Sequence, residues 1–297
     1  HYFLHGTGFH DLYEGTTPVK APGKYFPELM TERSLAFIEE SKDKPFFLYF
    51  PLNIPHYPEQ APKKFAEPFK EMKDPARKSY ATIMYATDHY IGRVVDKIEE
   101  LGLRKNTLFI YMSDNGHSEE TGNRIRVDNH KSGHPKGHFY GASGGGYTGK
   151  WKGQKGTFLE GGIRVPAIIS FPAKLPQGET RDQIVTSMDW LPTVMELCDI
   201  DPKKKDPKLD GYSVLPLIRS GKAEPGYGDL LHFQWHTQWA VRKGEWKLIG
   251  RGTKASFLGN VNDEQPERKN YAKEKPELVA RLLEMHEKWA AEVKPAK

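Results

Sequence analysis

Three short, near-continuous apolar and aromatic runs constrain this chain more than any other feature: Phe46-Phe-Leu-Tyr-Phe50, Thr107-Leu-Phe-Ile-Tyr-Met112 and Val165-Pro-Ala-Ile-Ile-Ser-Phe171. Each is too short for a buried helix and lacks the alternation of a half-exposed strand, so each predicts a central strand buried on both faces. Between the first two runs Ile91, Val94, Val95, Ile98 and Leu101 recur at helical spacing and Gly102 stands where a C-cap belongs, which predicts a helix over roughly 78–101. A shorter helical pattern, Leu35 to Glu40, precedes the first run. Another, with Leu191, Val194, Met195 and Cys198, follows Asp189 after the third. Strand and helix alternate, which predicts an α/β fold with a mostly parallel central sheet flanked by helices.

After Asp201 the pattern changes. A Lys203-Lys-Lys-Asp-Pro207 linker leads to Trp239-Ala-Val-Arg-Lys-Gly-Glu-Trp-Lys-Leu-Ile249, which reads as a hairpin turning near Lys243-Gly244. Pro276 then opens a helix with Leu278, Leu282, His286 and Trp289 on one face, expected to dock on that hairpin. Residues 1–205 are therefore expected to form the α/β domain, and residues 206–297 a small C-terminal subdomain of antiparallel sheet plus helix. With 28 glycines and 22 prolines, much of the chain should be loop, where sites tend to sit. The segment from Thr121 to Gly162 is the most unusual, a glycine-rich basic loop carrying His130, His134 and His138.

Composition excludes several classes. The apolar and charged fractions, 37% and 28%, are those of a globular protein rather than of a disordered chain, a collagen or a coiled coil. The net charge of +5 is compatible with anionic partners, but the basic residues lack the interleaved aromatics of a single-strand groove, so nucleic acid is not expected. One cysteine, Cys198, permits neither an intramolecular disulfide nor a zinc site of several thiolates. At a helix end, it is expected to be a small buried hydrophobe. Apolar stretches fall far short of the roughly 20 residues a spanning helix needs, so no membrane span is expected. The chain starts at His1 without a basic or apolar leader, so any export signal is expected to have been removed or to lie outside this piece.

Three constellations can carry chemistry. Ser113-Asp-Asn-Gly116 follows the second run, where the carboxyl end of a strand in an α/β sheet places ligands, and its carboxylate and amide oxygens suit Ca²⁺ or Mg²⁺. Asn-Gly is equally a turn dipeptide. Asn53-Ile-Pro-His-Tyr-Pro58 follows the first run and holds His56, a candidate proton donor to a leaving group, between two prolines. Gly153-Gln-Lys-Gly156 places Lys155 between glycines that let backbone and anion approach closely, which makes it a candidate anion clamp. Glu160 and Arg164 read as a structural ion pair supporting that loop. A divalent cation, a histidine acid and a lysine clamp together suit hydrolysis of an anionic ester.

These segments, together with Pro45-Phe-Phe-Leu-Tyr-Phe, Asp88 to Leu103, and Lys155-Gly-Thr-x-x-Glu-Gly-Gly-Ile-Arg-Val-Pro, closely resemble the sulfatase family in their order and nearly end to end. The resemblance implies an alkaline-phosphatase-like fold, Asp114 and Asn115 as ligands of a calcium ion bridging to the sulfate, and His56 and Lys155 in contact with the sulfate ester. It also implies that His117, with His130, His134, Lys136 and His138, reads the part of the substrate beyond the sulfate. The expected partner is a sulfated small molecule or carbohydrate, and the expected location is periplasmic or extracellular. Oligomeric state is not readable.

The family's nucleophile, a formylglycine made from Cys/Ser-x-Pro-x-Arg, has no counterpart in these 297 residues. Ser170-Phe-Pro-Ala-Lys174 carries lysine in place of the arginine, and Gly149-Lys-Trp-Lys152 only approximates the family's upstream Gly-Lys-Trp-His. Paired aspartates are missing too. The chain is thus expected to be the C-terminal two-thirds of a sulfatase, inactive alone. A phosphodiesterase or phosphonate hydrolase of the same superfamily would use the same groups, and a non-catalytic binder of sulfated glycans would use the basic loop and calcium site without turnover.

Overall fold

A computed structural model describes residues 12–21, 24–56, 59–118, 139–142, 145–205, 209–221, 226 and 228–293. His130, His134, Lys136 and His138 lie outside the described residues. The chain divides into two compact units, residues 1–107 with 117–147, and residues 108–116 with 148–297, so the boundary expected at 205/206 falls inside the second. Elements are numbered along the chain.

The first unit holds a two-residue ribbon, β1 (Tyr13–Glu14) with β2 (Thr17–Pro18), then α1 (Phe26–Ser41), β3 (Glu59–Pro62), α2 (Pro75–Glu100) and β5 (Phe139–Ala142), with β3 and β5 antiparallel. Helix α2 matches its periodicity. Asp74 caps it, its carboxylate accepting the N–H groups of Ala76 at 2.9 Å and Arg77 at 3.2 Å, with Pro75 in the first turn. At the other end Gly102 takes φ +69° while its N–H bonds Glu99 O and that of Leu103 bonds Ile98 O, a Schellman closure that favours glycine. Ile83, Ala86 and Tyr90 of this helix pack with Tyr25, Ile54, Ala61 and Phe65 into one core.

Helix α1 begins nine residues before the predicted Leu35 because part of its buried face is polar. Thr31 and Ser34 are buried by donating their hydroxyls to Pro27 O at 2.7 Å and Met30 O at 2.8 Å, so the apolar period is interrupted. The run Phe46–Phe50 departs from expectation more strongly. It carries no strand pairing among the described residues, and Phe47 and Tyr49 are 81% and 76% exposed while their neighbours are half-buried. Period-2 alternation is present, but one face is covered instead of two.

The second unit begins with β4 (Phe109–Met112), which pairs antiparallel with β6 (Ala167–Ser170), and between them lies the one-turn helix α3 (Glu160–Ile163). Every strand pair among the described residues is antiparallel, so the mostly parallel central sheet is not formed among them. The alternation of runs and helices predicted it only if all three runs were neighbours in one sheet, and the first has no strand partner among the described residues. Strands β4 and β6 pair only with each other there, which leaves Ile168 61% exposed. Helices α4 (Trp190–Leu197), α5 (Pro202–Lys205) and α6 (Leu215–Ser220) follow, and Leu197 and Leu215 pack with Phe171 and Leu175. Cys198 is exposed, contrary to expectation. It caps α4 just before the chain turns through Asp199 at φ +59°, and Leu197 takes the core position.

The C-terminal part is an antiparallel sheet in the order β10 (Lys254–Asn260), β9 (Trp246–Arg251), β8 (Gln238–Lys243), β7 (Leu230–Trp235), covered on one face by α7 (Pro276–Glu292). The predicted hairpin turns at Gly244, with φ +58° as the tight turn requires. Leu282 of α7 reaches Trp239, Val241, Leu248 and Leu258, all buried. Beside them His232 stacks on Trp289 at 4.9 Å and His286 on Trp239 at 4.3 Å. No helix among the described residues is long and apolar enough to cross a membrane.

These two histidines give the sheet and helix a pH response. Burial, and then the neighbouring His286, holds the His232 imidazole down at about 4, while burial lowers His286 against the opposing pull of Glu287. A depressed folded-state value means that the stability is full above the ordinary 6.5 and is lost as pH falls from there toward about 4. Between pH 6.5 and 5, before most carboxylates protonate, the melting temperature should fall, and in the His232→Leu/His286→Leu double variant this part of the slope should flatten. Equal slopes in both proteins would remove the histidines from the account.

Candidate active site

The Ser113–Gly116 loop leaves β4 and is folded by its own side chains. Ser113 Oγ donates to Asn115 O at 3.1 Å, the Asn115 N–H donates to Asp114 Oδ1 at 2.9 Å, and Asn115 Nδ2 donates to Gly116 O at 3.0 Å. The amide nitrogen is thereby turned to the backbone, which leaves the side-chain Oδ1 of half-buried Asn115 outside that bond, next in sequence to an exposed Asp114 carboxylate. Two adjacent hard oxygens have the donor chemistry of a calcium or magnesium site, but supply only part of the six to eight ligands calcium takes. Among the described residues no group of three or more His, Cys, Asp or Glu is placed to hold a metal.

Lys155 sits in a second loop with its own tight geometry. The turn Gln154-Lys155-Gly156-Thr157 closes through the Thr157 N–H to Gln154 O at 3.0 Å, and Gly156 takes φ +85°, the positive value a type II turn needs at its third residue. Thr157 Oγ1 also donates to Gln154 O at 2.8 Å. Lys155 itself is half-buried at the second turn position.

Both loops lean on one piece of backbone. The Gly116 N–H donates to Gly162 O at 3.0 Å, and the Gly161 N–H donates to Lys152 O at 2.8 Å. A Cβ on Gly116 would lie 1.9 Å from Gly161 O, one on Gly161 would lie 2.3 Å from Gly153 O, and one on Gly162 would lie 2.4 Å from Gln154 O. Only glycine permits this approach. The Gly-Gly of α3 is a shared wall, with the Asp114 loop and the Lys155 loop packed against it.

That wall is anchored by buried charge. Lys247 of β9, wholly buried, places Nζ 2.6 Å from Glu160 Oε1 and 2.9 Å from Glu267 Oε1, and donates to Phe158 O at 3.0 Å. Glu267 Oε2 accepts the Glu160 N–H at 2.7 Å, and its carbonyl accepts Lys152 Nζ at 3.0 Å. Arg242 adds contacts to Glu160 at 3.3 and 3.4 Å. The predicted Glu160–Arg164 pair is present at 3.4 Å, but Arg164 is half-exposed and contributes least of the three cations. Burial opposes ionisation of Glu160, yet Lys247, Arg242 and Arg164 outweigh it and hold the carboxyl below its ordinary value. Sequence reasoning missed Lys247, Arg242 and Glu267. The only signal was a lysine between apolar residues of the predicted hairpin, Trp246-Lys-Leu, while Glu267 stands in a polar stretch without periodicity.

His56 and His117 belong to the first unit. His56 is exposed in the turn after Ile54, its N–H donating to Asn53 O at 3.3 Å. The His117 ring meets Tyr80 of α2 edge-on at 5.4 Å, and lies where a Cβ on Gly146 would come 2.2 Å from Nδ1.

The profile described as "Sulfatase" matches residues 1–200. The chain belongs to the sulfatase family. A second profile, "N-sulphoglucosamine sulphohydrolase, C-terminal", matches residues 151–288. The chain is 27% identical to the uncharacterized sulfatase YdeN of Escherichia coli over 241 residues, which covers 79% of this chain and 38% of that protein. It is 30% identical to human arylsulfatase D over 206 residues, 69% of this chain and 31% of that protein. Among solved structures, Ps i-CgsB in complex with k-i-k-neocarrahexaose superposes with a TM-score of 0.74 at 25% identity, covering 93% of this chain and 57% of that one. The chain thus spans less than two-thirds of each of these three proteins. Its described elements share the fold of Ps i-CgsB.

Replacing Lys247 with methionine would leave Glu267 buried without its cation and Glu160 with only Arg242 and Arg164 at 3.3–3.4 Å, at a cost of about 3–5 kcal/mol. Denaturant unfolding at pH 7 should show a loss of that size. Because the lowered Glu160 value gives wild-type stability that is present above 4.5 and lost as pH falls below it, the deficit of Lys247→Met should shrink toward pH 4. A constant deficit would place the effect in packing alone.

Proposed function

We propose that this sulfatase-family chain serves the hydrolysis of sulfate esters of carbohydrates, R–O–SO₃⁻ plus water giving the alcohol and sulfate through cleavage of the S–O bond. The observation that carries the reading is the shared Gly161-Gly162 wall, which holds a hard-oxygen loop and a lysine loop against the same backbone. Asp114 and Asn115 would be two of the ligands of a calcium ion, or of magnesium in its place. The metal, when bound, supplies charge stabilisation to sulfate oxygens. Lys155 is assigned to the same oxygens as a cationic clamp held in place by its turn.

To His56 we assign the proton delivered to the leaving oxygen, on its residue type and the family resemblance. His117 is assigned to the substrate beyond the sulfate on the same ground. A carbohydrate ester is favoured over a simple aryl ester by Ps i-CgsB, crystallised with k-i-k-neocarrahexaose. Export to the periplasm or beyond is part of the same reading. The nucleophile is not among the assigned groups, and the 297 residues alone are proposed to bind without turnover.

Calorimetric titration of the chain with Ca²⁺ should reveal one site, lost in Asp114→Ala and weakened in Asn115→Ala. Binding of 4-nitrophenyl sulfate in the presence of Ca²⁺ should weaken about tenfold or more in Lys155→Ala. Calcium binding that survives Asp114→Ala would overturn the ligand assignment. Hydrolysis at enzymatic rates by the 297 residues themselves would show that the nucleophile is within them.

A further inference from the structure

Away from the two loops, the pairing of the C-terminal sheet assembles a row of side chains with one chemistry. Trp235 pairs with Gln238, Gln238 with Arg251, and Arg251 with Lys254, so one residue from each of the four strands stands in line at one end of the sheet. Directly paired residues project from the same face, with Cβ atoms roughly 4.5–5.5 Å apart. Trp235 is 56% exposed, Arg251 and Lys254 are exposed, and Gln238 is half-buried. Among the described residues neither cation of the row is held in an ion pair.

The face on which the row stands is the one that grips the Lys155 loop. Side chains alternate along β7, so Trp235 shares its side with Phe233 and Leu231, while His232 turns to α7. The Phe233 ring lies 6.0 Å from that of Phe158, three residues after Lys155. Leu231 pairs with Arg242, whose guanidinium contacts Glu160. Trp235 is two residues beyond Phe233, about 6.7 Å further along the strand. The tip is also fixed. Gln234 Nε2 donates to His236 O at 3.3 Å, His236 takes φ +52°, and its ring lies 5.2 Å from that of Trp235.

We propose that this row is a sugar subsite of the carbohydrate-sulfatase reading above, on which it rests. The Trp235 indole carries the apolar face of one pyranose ring, Gln238 hydrogen-bonds a hydroxyl, and Arg251 with Lys254 takes a sulfate on that same ring or the next. A single aromatic platform beside two cations suits one ring and one anionic group. It does not provide the successive stacking faces that a nucleic-acid strand occupies.

The test titrates a sulfated galactan hexasaccharide, its desulfated counterpart and 4-nitrophenyl sulfate into the 297-residue chain, with calorimetry and tryptophan fluorescence as readouts. The hexasaccharide should quench fluorescence and bind at least about tenfold more weakly to Trp235→Ala and to Arg251→Ala. The desulfated sugar should gain nothing from Arg251, and both variants should keep wild-type affinity for 4-nitrophenyl sulfate. Should Trp235→Ala lose its circular dichroism, Trp235→Phe, which keeps a stacking ring, should bind better than Trp235→Leu. Unchanged hexasaccharide affinity in both variants overturns the subsite, as does an equal loss for the small ester or a chain that binds no hexasaccharide at all. Lys155→Ala separates the two proposals. If it leaves the small ester unaffected while Trp235→Ala weakens the hexasaccharide, the anion clamp fails and the subsite stands.

Discussion

A lysine with no access to water holds two carboxylates from distant parts of the chain, and the wall under the two candidate loops is placed by that contact. A buried ammonium is tolerated only when paired, because the loss of hydration costs several kcal/mol per ion. Lys247 therefore requires Glu160 and Glu267 beside it, at 2.6 and 2.9 Å. Glu160 is doubly fixed, by its side chain on Lys247 and by its backbone N–H on Glu267. The next two residues are Gly161 and Gly162, so the charge cluster in the sheet sets the wall on which the Asp114 and Lys155 loops rest. A strand that contributes neither a residue of the Asp114 loop nor one of the Lys155 loop thus governs where those loops stand.

The division of labour follows from electrostatics. Groups that are to meet a metal or an anion must keep their charge available, and Asp114 is exposed. Exposed charges hold geometry poorly, since a surface ion pair contributes only about 0–1 kcal/mol. The loops are instead held by backbone: glycine approaches too close for any side chain, internal turns, and hydrogen bonds of 2.8–3.0 Å. The buried network anchors the wall, and the candidate ligand Asp114 and candidate clamp Lys155 are residues that network does not consume. Arg164 illustrates the contrast, being four residues from Glu160 and visible in sequence, yet half-exposed, while the buried partner lies 87 residues away.

What was legible in the sequence was local. Helix α2, the β8–β9 hairpin and α7 could be read because period, cap and turn agreed within a few residues: Gly102 closes one helix, Gly244 makes one turn, and Leu282 marks one apolar face, whereas the Asp74 cap, which starts α2 at Pro75 instead of 78, went unread. The Asp114-Asn115 and Lys155 loops were legible for the same reason. Sheet partners were not. The apolar run at Phe46 resembles the one at Phe109 in composition, yet among the described residues only the latter is paired, because pairing depends on which strand lies alongside. The small polar residues Thr31 and Ser34 hid the front of α1 by satisfying their hydroxyls within the helix. Lys247 stayed hidden because nothing near position 247 signals a carboxylate 87 residues earlier.

Register joins these observations. Along β9, Trp246 and Leu248 face α7, whereas Lys247, Ile249 and Arg251 face the other way, since strand side chains alternate. Leu248 is paired with Val241 and Leu258 in the apolar layer, and Lys247 with Arg242 over Glu160. A slip of one residue would exchange the two sets. It would set Leu248 against two carboxylates and drive the Lys247 ammonium into the layer around Leu282, both prohibitive. The apolar layer under α7 and the charge cluster over Glu160 therefore enforce the same alignment from opposite faces. A strand order that packs the small sheet is, by that fact, one that fixes the glycine wall and the loops beyond it.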